Sequence, residues 1–194
     1  MYTNIAAYEG IRRAHPELQT LIGQVKGLDS LPEPVVGTDY DFNIAGIRAF
    51  YATGKALVFS EADMEEAWKQ TEEKLRNGGV SASTLQNSIA YGNALSGAIV
   101  RWAKKDNYIK TRTYPRYRYQ GTIGKWLPTP PDYMEGLEPY WNRIRPLVMD
   151  SAAQFMPERP IPYDTATGSP FMAALKEVYR TTQLTGAEYE TARY

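Results

Sequence analysis

The sequence has no cysteine and only one histidine among its 194 residues. The missing cysteine excludes disulfide bonds, thiolate nucleophiles and zinc or iron–sulfur sites with cysteine ligands. The single histidine, His15, lies directly before Pro16, and one imidazole excludes HExxH zinc sites and every site that needs two histidines. Since nothing around His15 selects catalysis, we expect it to lie in a surface loop or at a helix end.

Long apolar runs and an excess of charge of either sign are also missing. No stretch approaches the roughly 20 apolar residues that cross a bilayer, and the N-terminus lacks the pattern of a secretion signal. The 22 basic and 22 acidic residues balance, and 43% of the residues are hydrophobic, which is the composition of an ordinary globular protein. The sequence therefore predicts a soluble chain with a core, and it leaves export open.

Apolar residues recur at helical spacing through most of the chain, which predicts an all-α fold, a helical bundle. Small residues in the middle of one helix, Gly92 and Gly97 among them, predict a close helix crossing, since each glycine costs about 1 kcal/mol of helix propensity. The predicted helices cover residues 3–14, 18–25, 44–58, 60–77 and 83–103, with further helices that begin at Pro170 and Thr185.

Prolines recur throughout residues 108–169 and predict a long irregular excursion that tyrosines and tryptophans hold in order. The helical patterns at the two ends of the chain lack complete caps. We therefore expect residues 1–194 to form a single helical module that is a fragment of a larger helical domain.

Residues 101–126 interleave cations with aromatic rings, and two interpretations are open. The segment can bind an anionic partner, as single-strand binders do. Alternatively, its tyrosines fasten the proline-rich loop while its arginines pair with carboxylates such as Asp132, Glu135 and Glu138. Neutral net charge favours the second interpretation and argues against a nucleic-acid partner.

Residues 124–133 read GKWLPTPPDY, and Pro139-Tyr140-Trp141 and Arg145-Pro146 follow. This string resembles the GxWxPTPPxY…PxW…P element of bacterial vanadium haloperoxidase-like proteins of the PAP2 phosphatase superfamily. Residues 4–9, 49–51, 54–61 and 184–185 are similar to the same family in the same order. The resemblance implies a mostly helical protein that uses vanadate to oxidise halide with peroxide, or that binds phosphate and cleaves phosphate esters.

The family binds vanadate or phosphate through three motifs, KxxxxxxRP, a PSGH-like loop and RxxxxxH, and none of them occurs in this sequence. Arg145-Pro146 would need a lysine in place of Glu138, and Arg159-Pro160 would need one in place of Ala152. No histidine follows His15. The resemblance therefore implies no catalytic, cofactor-binding or metal-binding residue in this chain.

The expectation is an N-terminal scaffold that is inactive alone and whose partner is the missing C-terminal catalytic segment of the same protein. Apolar surface on unfinished helices would be covered by that segment or by self-association. The alternative is a non-enzymatic module that binds an anionic partner through residues 101–126. Six residues, here called the wall residues, are predicted to line the approach to the site or to contact its ligand: Trp126, Tyr133, Trp141, Arg112, Arg116 and Arg118.

Overall fold

The computed structural model describes residues 1–193, which contain helices and no strand, so the predicted all-α class is confirmed. Short 3-10 turns lie at Arg12–Ala14 and Trp141–Arg143. In the described part of the chain, no helix has the length and apolarity needed to cross a membrane. The helices are α1 (Tyr2–Ile11), α2 (Phe42–Lys55), α3 (Glu61–Asn77), α4 (Ala82–Ala103), α5 (Tyr108–Thr111), α6 (Pro170–Thr181) and α7 (Gly186–Arg193).

The chain divides into two compact units. Unit 1 comprises Met1–Arg116 and Leu137–Gln154, and unit 2 comprises Tyr117–Gly136 with the residues from Phe155 on. Both units take residues from the proline-rich stretch 108–169. The prediction of one module over 1–194, which belongs to a larger domain, stays a prediction.

The core of unit 1 lies where α1, α2 and α4 cross. Small residues permit the crossings: a Cβ built on Gly10 would lie 2.6 Å from the Cα of Gly46, and one on Gly92 would lie 2.5 Å from the carbonyl oxygen of Ala45. The predicted close crossing therefore occurs at Gly92. It does not occur at Gly97, whose Cβ would meet only the Arg101 guanidinium, at 3.4 Å.

Side-chain caps start two of the core helices. The Asp41 carboxylate accepts hydrogen bonds from the backbone N–H groups of Asn43 and Ile44 at the start of α2, and the Ser81 hydroxyl accepts one from Thr84 at the start of α4. The prediction that the helix beginning near residue 44 extends to residue 58 was wrong. α2 ends at Lys55, so Leu57 and Val58 follow it as exposed residues.

The predicted helix over residues 18–25 is absent, because a buried carboxylate holds that segment in turns. Glu9 accepts hydrogen bonds from the Leu21 backbone N–H at 2.6 Å and from the Thr20 hydroxyl at 3.1 Å, and it pairs with Arg12 at 2.6 Å. Gly23 also has a φ of +74°, in the left-handed region that continues no helix. Helical spacing of apolar residues was therefore misleading here.

Hydrogen bonds among Tyr2, Asp106 and Arg145, here called the Tyr2 clasp, join the two chain segments that make up unit 1. The Tyr2 hydroxyl donates to the Asp106 carboxylate at 2.7 Å, and the backbone N–H of Arg145 donates to the Asp106 carbonyl oxygen at 2.8 Å. The Arg145 guanidinium lies 4.7 Å from the centre of the Trp102 ring. Burial, followed by the hydrogen bond to Asp106, raises the pKa of Tyr2 to about 12.

Ring contacts rather than a buried core organise unit 2. The Tyr163 ring lies against Gly124, where an added Cβ would come within 3.1 Å of the ring Cγ. The same ring lies 5.0 Å from the Phe171 ring at the start of α6. Ser169 caps α6 by accepting a hydrogen bond from the Met172 N–H. Among the unit 2 residues whose burial is described, Ser169 alone is buried.

Candidate functional site

The wall residues are divided between the two units, with three in each. Arg112, Arg116 and Trp141 belong to unit 1, and the remaining three belong to unit 2: Arg118, Trp126 and Tyr133. Their role as one wall stays a prediction.

In unit 1, Glu138 connects two wall residues. Its carboxylate forms an ion pair with Arg112, and its carbonyl oxygen accepts a hydrogen bond from the backbone N–H of Trp141 at 3.1 Å. The predicted pairing of arginines with nearby carboxylates is thus present for Arg112. The Trp141 side chain is 64% exposed, so its indole is available to a ligand while its backbone is fixed.

The neighbouring loop is fastened by tyrosines, as the composition predicts. The Tyr140 hydroxyl donates to the Pro115 carbonyl oxygen at 2.8 Å, and its ring meets the Tyr114 ring edge-on at 5.0 Å. These contacts order the segment around Trp141 without covering it.

In unit 2, Trp126 is supported on one side and open on the other. Its ring lies 5.8 Å from the Tyr117 ring in an edge-on arrangement, and Gly136 lies beside it, yet half of the side chain is exposed. Tyr133 is 62% exposed and has a φ of +46°, an uncommon conformation for a residue other than glycine. Arg118 is also exposed.

Exposed rings and cations of this kind can bind an anion or an aromatic ligand, but they supply no acid–base pair near neutral pH. His15 is an exposed residue, and its Nδ1 lies 3.2 Å from a carboxylate oxygen of Glu17. Across residues 1–193, no group of three or more His, Cys, Asp or Glu residues is placed to hold a metal ion. The described wall residues therefore offer exposed surfaces for contact with a ligand.

Comparison with solved structures identifies the fold. A structure described as the first bacterial vanadium-dependent iodoperoxidase matches 94% of this chain with 39% sequence identity and a TM-score of 0.88. The chain has a vanadium haloperoxidase-like fold. It spans 44% of the length of the iodoperoxidase chain. No protein-family model matches the sequence, and no curated protein does.

The residues of this vanadium haloperoxidase-like chain do not fit vanadate. An oxyanion of that charge requires several converging cations, and holding the metal through nitrogen requires an imidazole. The one imidazole, on His15, already contacts Glu17, and Arg112 is paired with Glu138.

Two polar groups of this vanadium haloperoxidase-like fold were missed from the sequence, Glu9 and the Tyr2–Asp106–Arg145 clasp. Each had a signal: Glu9 lies on the apolar part of its helix, beside Ile5 and Ala6, and Asp106 is the single acid in a run of cations. Both carboxylates have several hydrogen-bond partners. Their contacts join separate segments of unit 1.

Proposed function

We propose that this chain is the helical N-terminal scaffold of a vanadium haloperoxidase-like enzyme and that the residues that bind vanadate or phosphate lie outside it. The observation that carries the proposal is that its only imidazole is exposed and contacts Glu17. The match to less than half of the iodoperoxidase supports it, because such a polypeptide has room for a complete site beyond the matched part.

The whole protein would oxidise a halide with peroxide, with vanadate as its cofactor. Iodide is the first halide to test, because the matched structure is that of an iodoperoxidase. Hydrolysis of phosphate esters is the related activity of the superfamily, and it would use the same kind of oxyanion site with phosphate as part of the substrate.

The decisive experiment compares this 194-residue chain with the whole polypeptide that its gene encodes. Each is supplied with vanadate, hydrogen peroxide and iodide, and separately with p-nitrophenyl phosphate. We expect the whole polypeptide to oxidise iodide and the isolated chain to leave both substrates unchanged. Vanadate-dependent turnover by the isolated chain would overturn the scaffold proposal, and phosphate-ester hydrolysis alone by the whole polypeptide would assign it to the phosphatases.

The wall residues would shape the approach to that site. Exposed but fastened indoles support this role, because a ring whose backbone is fixed loses little entropy when a ligand contacts it. Replacing Trp126, Tyr133 and Trp141 together by alanine in the whole polypeptide should raise the KM for the substrate. Tyr119→Ala is the matched control, since Tyr119 is exposed in the same stretch and is not a wall residue. Unchanged kinetics in the triple variant would show that these residues do not shape the approach to the site.

A second candidate, a non-enzymatic module for an anionic partner, is favoured by one observation. Among the described residues, Arg101, Lys104 and Lys105 at the end of α4 form no ion pair with a carboxylate. Lys110 in α5 forms none either. Such a surface would hold the chain on heparin in a salt-dependent manner, and Lys104→Glu with Lys105→Glu would release it. Elution at low salt, unaffected by these substitutions, would exclude this candidate.

A further inference from the structure

α6 is an amphipathic helix whose apolar face is largely uncovered. Its apolar residues fall at helical spacing on one face, while the other face carries Lys176, Glu177 and Arg180. The helix has no buried residue over its 12 positions. The apolar face, here called the α6 stripe, consists of Phe171, Ala174, Leu175, Val178 and Tyr179.

The α6 stripe is covered at one end only. Phe171 packs against Tyr163 within unit 2, whereas Leu175 is 49% exposed and Val178 is 62% exposed. A helix of this length is marginal in water without tertiary packing, since most helical stability in proteins comes from burying the apolar face. The open half of the stripe therefore requires an occupant.

We propose that the α6 stripe is the docking surface for a helix of the same polypeptide, in the part that lies outside this chain. The inference rests on the proposed function. More than half of the matched iodoperoxidase lies outside the matched region, so a polypeptide of this kind has further residues to place on the stripe. The period of the stripe fits another helix, because apolar residues at i, i+3, i+4 and i+7 interlock with the ridges of a packed helix.

A second copy of this chain fits the α6 stripe less well. Stable interfaces between separate molecules bury about 800 Å² per partner. The exposed side chains of Leu175, Val178 and Tyr179 would bury much less surface than that. A segment of the same polypeptide needs less surface, because the covalent connection supplies an effective concentration on the order of millimolar.

A lipid surface is also disfavoured. Helices that lie on membranes carry many lysines and arginines on the polar face. The polar face of α6 has two cations and one acid, Lys176, Arg180 and Glu177, which gives little attraction to anionic lipid.

The absence of cysteine from the chain permits a direct test by thiol labelling. Val178→Cys places one thiol in the stripe, and Ala173→Cys places one on the opposite face of α6 as the matched control. Both positions are exposed, so neither substitution disturbs a core. The labelling rate with a maleimide is measured by peptide mass spectrometry, in the isolated chain and in the whole polypeptide.

The proposal predicts similar labelling rates for both thiols in the isolated chain. In the whole polypeptide, it predicts that Val178→Cys is labelled at least about tenfold more slowly while Ala173→Cys is unchanged. Equal rates in the whole polypeptide would overturn it. So would protection in the isolated chain that grows with protein concentration, which means a second copy, or protection by phosphatidylglycerol vesicles, which means lipid.

Failure here is distinguishable from failure of the proposed function. A whole polypeptide that oxidises iodide but leaves the Val178→Cys thiol open contradicts the docking proposal alone. One that protects this thiol but has no oxyanion-dependent activity contradicts the proposed function alone. A gene that encodes nothing beyond this chain contradicts both.

Discussion

The two units contain similar kinds of apolar residue, and both expose some of them, but only unit 1 has buried hydrophobic side chains in the part of the chain whose burial is described. Every buried hydrophobic side chain in the described part of the protein belongs to unit 1, among them Ile44, Leu85, Leu95 and Ile99. Unit 2 exposes its large apolar residues, including Ile123, Phe155 and Val178. Apolar content therefore does not by itself make a core, because each apolar face also needs a neighbouring element with a complementary face.

The difference matters for the function that we propose. Unit 1 has crossing helices, capped helix starts and satisfied buried carboxylates, which are the features of a finished fold. Unit 2 relies on pairs of rings and on one capped helix with an open apolar face. We propose that this surface binds a further part of the same polypeptide.

The largest expected difference in the free energy of unfolding is between the replacement of a leucine in unit 1 and the replacement of one in unit 2. Leu95→Ala removes a fully buried side chain from the α4 core, so we expect the free energy of unfolding to fall by about 2–5 kcal/mol. Leu175→Ala in α6 should change it by less than about 0.5 kcal/mol, because that side chain is half exposed. Urea unfolding of this chain measures both. A loss at Leu175 as large as that at Leu95 would mean that unit 2 has a core of its own.

A second pair of substitutions sharpens the account of helix packing within unit 1. Gly92→Ala would force a Cβ to 2.5 Å from the Ala45 carbonyl oxygen and 2.8 Å from the Arg48 Cβ, and we expect a loss of about 1–3 kcal/mol. Gly97→Ala, in the same helix, meets only the flexible end of Arg101. It should stabilise the chain by up to about 1 kcal/mol through helix propensity. Thermal unfolding that shifts both variants in the same direction would contradict the assigned crossing.

A third prediction concerns the pH dependence of the Tyr2 clasp. The folded pKa of about 12 exceeds the ordinary value of 10.0, so the fold favours the neutral phenol. This contribution is complete below pH 10 and is lost as the pH rises through 10 towards 12. Tyr2→Phe should lower stability by about 1–3 kcal/mol at pH 8, and the difference from the natural chain should narrow at pH 11. A difference that does not change with pH would show that the hydroxyl contributes nothing through Asp106.

Much of unit 1 could be predicted because its signals are local. Apolar spacing and capping residues such as Asp41 indicate where α2 begins, and the small residues around Gly92 indicate a crossing before any partner is known. The turns at residues 18–25 could not be predicted in this way. Their conformation depends on Glu9, which comes from another element and accepts hydrogen bonds from the Leu21 backbone N–H and the Thr20 hydroxyl.

At the candidate site, the pairing of Arg112 with Glu138 could be predicted, because the sequence places both charges in one loop. The absence of the family's ligands from this chain stays a prediction. The separation of the wall residues between two units was not predictable, since proline-rich segments carry no periodic signal that tells which neighbour they join.

Titration of the purified 194-residue chain with vanadate, followed by calorimetry, tests the central claim most directly. The account predicts no saturable binding at one site, because the only imidazole is exposed beside Glu17. Binding of one vanadate per chain that disappears in His15→Ala would contradict it and would place the reaction centre inside this scaffold.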